Sequence, residues 1–217
     1  MMNLLELVYA TILTGWVYFV AFHLTKWIYY ILKNKGLEDN VIVYFNRKVI
    51  HVLAGGFVAI LVPLLFASYI IPLILGLLFA IITYIPHRTG RLLYWFQDPA
   101  NYYEVNFCIM WALIITIGWI VFNNPWIAAI PVLFMAFGDA ATGFVRNLIY
   151  KRRTKSWIGN IAMAIVSIPI GAMIGIAGII AALISSIIEH FEFKYVDDNI
   201  TIPLVSFLVI YLTNLFF

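Results

Sequence analysis

Apolar runs of about 20 residues recur along this chain between short polar connections, and that repetition leaves few folds open. A run of that length crosses the hydrocarbon core of a bilayer as an α-helix, which satisfies every backbone N–H and C=O within the segment. The rest of the composition agrees. Of 217 residues, 65% are hydrophobic and 11% charged, and the mean hydropathy is +1.01. A soluble domain of this length needs far more polar surface. The expected fold class is therefore an all-α, polytopic integral membrane protein with seven to eight transmembrane helices, forming a single domain over residues 1–217.

In chain order the expected spans are residues 4–24 with a Tyr/Trp-rich tail toward Lys33, then 46–67 and 70–85. A longer polar segment follows over 87–104, in which 91–97 is expected to form a short interfacial helix with its Tyr and Trp at headgroup depth. Spans at 105–122 and 126–149 flank the turn Asn123-Asn124-Pro125. The apolar stretch 158–188 is too long for one ordinary span and is divided near Gly175-Ile176-Ala177-Gly178. The last span covers 200–217. No basic leader with a small-residue cleavage site precedes the first span, which is expected to be retained. The single cysteine, Cys108, excludes an internal disulfide and a cysteine-rich metal site and reads as a packed core thiol.

Charge tests this arrangement. With eight spans, all thirteen Lys and Arg residues fall at alternate connections, and the connections near Ser68, Asn123 and Gly178 carry none. That is the positive-inside pattern, with both termini outside and every charged loop cytoplasmic. Merging the sixth and seventh spans would move Lys194 outside. Membrane topology thus accounts for the basic residues, and no nucleic-acid partner is needed.

Three polar clusters share the expected cytoplasmic side. The first is Gly138-Asp139-Ala140-Ala141-Thr142-Gly143, followed by Arg146 and by Lys151, Arg152, Arg153, Lys155 and Ser156. An acid within a span costs about 2.5–3.5 kcal/mol and calls for a partner or a task. Arg146, on the same helical face, is the nearest candidate partner, and a purely structural pair is the plainer alternative. The basic run alone fixes topology or touches anionic headgroups. The second cluster is Arg47, Lys48 and His51, with Arg47 and His51 one turn apart on one face. A lone histidine is more often a packing residue than a catalyst. The third is Glu189, Asp197, Asp198 and Asn199, whose oxygens suit Mg²⁺ but also suit a solvated turn and helix cap. Together the clusters fit phosphoryl chemistry, in which acids hold metal and cations neutralise phosphate. No Walker-type or kinase glycine loop is present.

The order of these pieces resembles the polyprenol kinase family, CTP-dependent membrane kinases that include dolichol kinase and phytol kinase. The resemblance rests on Arg47-Lys48-x-x-His51, Gly138-Asp139-Ala140-Ala141, Lys155-Ser156-x-x-Gly159, Glu189 and Asp198-Asn199-x-x-Pro203, and covers about three quarters of the chain. Ile158 stands where the family places an acid, and Asn160 where it places a serine. The resemblance implies transfer of the γ-phosphate of CTP to the hydroxyl of an isoprenoid alcohol, at the cytoplasmic face of a multi-pass cell-membrane protein. It implies Mg²⁺ on Asp139 and Asp198, with Asp197, Glu189 and Asn199 beside them. Phosphate would be bound by Arg47, Lys48, Arg146, Arg153, Lys155, Ser156 and Gly159. Activation of the alcohol falls to a carboxylate or to His51. The partners are CTP, the alcohol and membrane lipids. The CDP-diacylglycerol synthases, which also bind CTP with an acid and a Lys-rich loop, are the alternative, although their Ser-Pro-Lys-Thr-type signature is missing.

Overall fold

Eight helices account for nearly all of the described chain. The computed structural model describes residues 4–152, 154–191 and 196–216, which contain no strand. The helices are α1 (Leu4–Asn34), α2 (Asp39–Leu65), α3 (Ile70–Thr89), α4 (Tyr103–Phe122), α5 (Pro125–Tyr150), α6 (Trp157–Ala172), α7 (Ile176–Ile188) and α8 (Asp198–Phe216). Six of them are long and apolar enough to cross a membrane, so the protein is an all-α polytopic membrane protein. Helices α6 and α7, with 16 and 13 residues, reach only about 24 and 20 Å against a hydrocarbon core of about 30 Å.

Helix α5 is the centre. Its apolar window is 78% buried, against 22% for α1 and α3, because α2, α4, α6 and α8 pack around it. Alanines and glycines on α5 allow this close approach, as is usual where lipid supplies no hydrophobic drive between helices. Asn124 caps the helix by accepting from the Trp126 and Ile127 amides, with Pro125 in the first turn.

Each of the three longest helices contains one π turn: residues Phe19–Leu24 in α1, His51–Gly56 in α2 and Phe134–Gly138 in α5. Such turns leave carbonyls open to further donors, and here tryptophan indoles supply them. Trp95 donates to the carbonyl of Ala21 at 2.8 Å, and Trp111 to that of Gly55 at 3.0 Å. In the third turn the Thr142 hydroxyl donates to the Gly138 carbonyl at 3.1 Å. A dry interior thereby tolerates distorted helix without orphaned backbone groups.

Residues 91–97 are not the expected interfacial helix. They form a turn in which the Leu93 carbonyl accepts from the Phe96 and Gln97 amides, and Trp95 and Phe96 are buried against Tyr29 and Ile42. The indole bond to the α1 π turn draws the segment inward against the helices. Helix α2 also begins earlier than expected, at Asp39.

Helices α6 and α7 form a hairpin about the turn 173–175, where Gly175 adopts a φ of +79° that disfavours any side chain. A Cβ at Gly178 would strike the backbone carbonyl of Gly171, and one at Gly171 would strike that of Gly178. Backbone on both sides cannot yield as a side chain can. Gly178→Ala is expected to cost about 1–3 kcal/mol and to lower the thermal unfolding midpoint in detergent. Gly15→Ala, whose Cβ meets nothing within 4 Å, is expected to leave the midpoint unchanged or to raise it. Equal midpoints for the two variants would contradict this packing.

Candidate functional site

The α5 π turn delivers Asp139 to the start of regular helix, facing α2, where it is almost completely buried. Lys48 Nζ donates to its Oδ2 at 2.6 Å. The methylene stem of Lys48 crosses the backbone of Gly143, and a Cβ there would collide with Lys48 Cγ and Cδ at 2.7 and 2.9 Å. Gly143 is therefore the groove that lets the ammonium reach its acid. His51 Nδ1 lies 3.2 Å from the same oxygen but is not aligned for a hydrogen bond.

Arg146 is not the partner of Asp139. It lies two turns further on, about 10 Å along the helix, and turns toward the α6–α7 hairpin. Its Nη1 and Nη2 donate to the two carboxylate oxygens of Glu189 at 2.8 and 2.9 Å, a bidentate pair. Nε and Nη2 also donate to the Ser156 carbonyl, and Nη2 to Asn160 Oδ1 at 2.9 Å. Gly159 opens the slot, since a Cβ at that position would run into the guanidinium. Asn160 closes the network by donating to Glu189 Oε2 at 3.1 Å and to the Ser186 carbonyl at 2.5 Å. Its amide thus stands where the family serine was expected, while Ile158 faces outward.

Lys155 joins this network to the last helix. Its Nζ donates to Glu189 Oε1 and to the Glu189 carbonyl at 2.8 Å each, and to Asp198 Oδ2 at 3.3 Å. Burial pulls the ammonium pKa down, but the Asp198 and Glu189 carboxylates more than offset this and hold it above its ordinary value. One oxygen from each of Asp139, Glu189 and Asp198 lies within 4.8 Å of the other two. Residues distant in sequence, on α5, at the end of α7 and at the start of α8, thereby form one acidic triad lined with cations.

Other expected site residues sit apart from the triad. Asp197 accepts from Asn106 Nδ2 at 3.0 Å, and burial, followed by the charge of Asp198, raises its pKa to about 6. Asn199 donates to the Tyr103 carbonyl at 3.2 Å and so ties α8 to α4. The Arg47 guanidinium lies 3.9 Å from the Tyr103 ring centroid, a cation–π contact. Ser156 contributes its carbonyl to Arg146. Arg153 lies outside the described residues.

Beside the triad, an apolar cleft runs between α1, α2, α3 and α4. Arg47, His51 and Glu104 line one end, and Val62, Phe66 and Pro72 the other. His51 belongs to both features, because its ring lines the cleft, stacks on Phe107 at 4.2 Å and touches Asp139.

No protein-family model, curated protein or solved structure matches this chain.

Asn160 and Gln97 were not singled out as site residues, yet each makes three side-chain hydrogen bonds at these two features. Only the fold brings them to their partners. The Arg146–Glu189 pair yields a test, because removing one partner leaves an uncompensated buried charge. Arg146→Met is expected to cost about 3–5 kcal/mol, read as a fall in thermal stability in detergent. Arg146→Met/Glu189→Leu should lose less than the sum of the two single variants. Strict additivity would rule out the pairing.

Proposed function

We propose that the protein is a membrane-embedded lipid kinase that transfers the γ-phosphate of CTP to the hydroxyl of an isoprenoid alcohol at the cytoplasmic face of the cell membrane. The observation that carries this reading is the acidic triad of Asp139, Glu189 and Asp198, set among buried cations at the wall of an apolar cleft.

The triad suits Mg²⁺ by donor chemistry, since it offers hard carboxylate oxygens from three helices within one small volume. Its charge balance narrows the ligand further. Three carboxylates face the three cations Lys48, Arg146 and Lys155, so a divalent ion alone would leave two excess positive charges in a poorly hydrated site. A polyphosphate removes that excess, which favours a metal–nucleotide complex over free metal. The chemistry such an ion supplies is neutralisation of phosphoryl oxygens. Lys155, with some exposure at the loop, would bind the phosphate tail. Lys48 already serves Asp139 and sets its orientation. The cytosine preference rests on the family resemblance.

The second substrate must be a lipid, because the cleft wall beyond Arg47, His51, Thr83 and Glu104 is almost wholly apolar. From Arg47 to Phe66 the cleft follows α2 for about 28 Å, close to the thickness of a hydrocarbon core. A single extended tail fits that length with its polar end beside the triad.

Purified protein incubated with Mg²⁺, geranylgeraniol or phosphatidic acid, and CTP labelled at either the α- or the γ-phosphate tests the reading. Label from the γ-position is expected in the alcohol. Label from the α-position in phosphatidic acid would identify a cytidylyltransferase instead. Asp139→Asn is expected to reduce turnover by about 100-fold or more while the chain still inserts, and full activity would remove Asp139 from the mechanism.

A further inference from the structure

At the polar end of the cleft, Glu104 is held in an unusual way. It lies in the first turn of α4 and is 7% exposed. Its Oε1 takes two bonds, one with His87 Nε2 at 2.5 Å and one from Gln97 Nε2 at 2.8 Å. Gln97 is itself fixed, donating to the Thr83 carbonyl and accepting from the Leu93 amide at 2.8 Å each. The other oxygen, Oε2, is buried and has no hydrogen-bond partner among the described residues. The side chain lines the cleft. A carboxylate oxygen buried against an apolar lining is costly unless something arrives to bond it.

Arg47 shows the complementary defect. It is 5% exposed and lines the same end of the cleft, and its Nε donates to nothing among the described residues. One acceptor and one donor are therefore both unmet at the head of a tail-shaped apolar space. A hydroxyl is the smallest group that satisfies both, donating to Glu104 and accepting from Arg47. A phosphate or carboxylate headgroup brings a second negative charge against Glu104. A methyl ether lacks the donor.

We propose that Glu104 Oε2 is the docking point and proton acceptor for the hydroxyl of a single-chain lipid alcohol lying in this cleft, with Arg47 Nε as its second contact. His87 and Gln97 are positioning residues that occupy Oε1 and leave Oε2 bare. The assignment rests on the kinase reading for its chemical step. In that step the alcohol O–H breaks and its proton passes to Glu104. The alcohol oxygen bonds to the γ-phosphorus, and the bond from that phosphorus to the β–γ bridging oxygen breaks with its electron pair leaving on CDP. The proton then rests on Glu104, whose other oxygen keeps its bonds to His87 and Gln97. His51 stands between the two reactants as the wall that cleft and triad share.

Binding and turnover are tested separately on the full chain in lipid nanodiscs. A diazirine analogue of geranylgeraniol, irradiated without nucleotide, is expected to label cleft residues of α1–α4. Geranylgeraniol should compete roughly tenfold better than its methyl ether, the usual worth of one buried hydrogen bond. Glu104→Leu, which removes the acceptor, should abolish that preference while tail labelling persists. Glu104→Gln keeps the shape but not the base. It is expected to lower kcat by about 10²–10⁴-fold with KM for the alcohol within about threefold and Mg²⁺·CTP binding unchanged. Leu75→Trp, which narrows the cleft away from Glu104, should raise KM for the alcohol without altering CTP binding, and it serves should the Glu104 variants fail to fold. Labelling outside the cleft, an unchanged preference in Glu104→Leu, or Glu104→Gln turning over at the wild-type rate would each overturn the site. Wild-type protein that takes the alcohol with the stated preference but transfers no γ-phosphate would instead overturn the kinase reading and leave the hydroxyl site standing.

Discussion

The buried ion pair between Lys48 and Asp139 constrains the rest of this structure. A carboxylate in the middle of a helix bundle must find a cation within the bundle, and the nearest one here comes from a different helix. For the ammonium to arrive, α2 must lie close against α5, and Gly143 supplies the missing side chain that permits it. The same rule repeats one layer closer to the loops. Glu189 draws in Arg146, Lys155 and Asn160, and Gly159 clears the path for the guanidinium. Gly143 and Gly159 are better understood as space reserved for a cation than as flexibility.

Charge matching also explains the short hairpin. Helices α6 and α7 are too short to follow their neighbours across a full bilayer core, and their ends fall at the triad. Glu189 closes α7 and Ser156 opens α6, and both contact Arg146. A longer α7 would carry Glu189 past the guanidinium. The tight Gly171–Gly178 turn at the opposite end holds the two short helices together without help from length. The hairpin thus behaves as a strut that sets where the acid of α7 meets the cations of α5 and the 151–156 loop.

How much of this was legible beforehand follows from the range of the forces involved. The eight helices were readable because a span is a local property, and the split near Gly175 followed from the positions of basic residues. Asp139 stood out as an acid within a span, and Glu189 and Asp198 as acids at span ends, where solvation cost makes any carboxylate conspicuous. Their partners did not stand out. Arg146 shares a helix with Asp139 and was the economical guess, yet Lys48 holds the acid, a pairing that only helix packing decides. The 91–97 segment has the composition of an interfacial helix but is pulled inward by one indole bond to an α1 carbonyl. Glu104 was hidden for the opposite reason. It looks like an ordinary acid at a helix start, and only the three-dimensional placement of His87 and Gln97 shows that one of its oxygens is left bare.

The ring of His51 marks the boundary on which these features converge. On one side is the apolar cleft, where a charged phosphate would have to shed its hydration for nothing; on the other is the charged triad, where a lipid tail has no favourable contact. A reaction between a lipid and a phosphate must therefore occur at a wall thin enough for both to reach, and here that wall is one imidazole. The π turn beginning at His51 helps to build it. Arg47, His51, Ala54, Val58 and Val62 recur every three to four residues and all line the cleft, so they form one face of α2. That face runs from the imidazole that touches Asp139 to the apolar end of the cleft, and this is what lets a single helix serve both the dry and the charged half of the site.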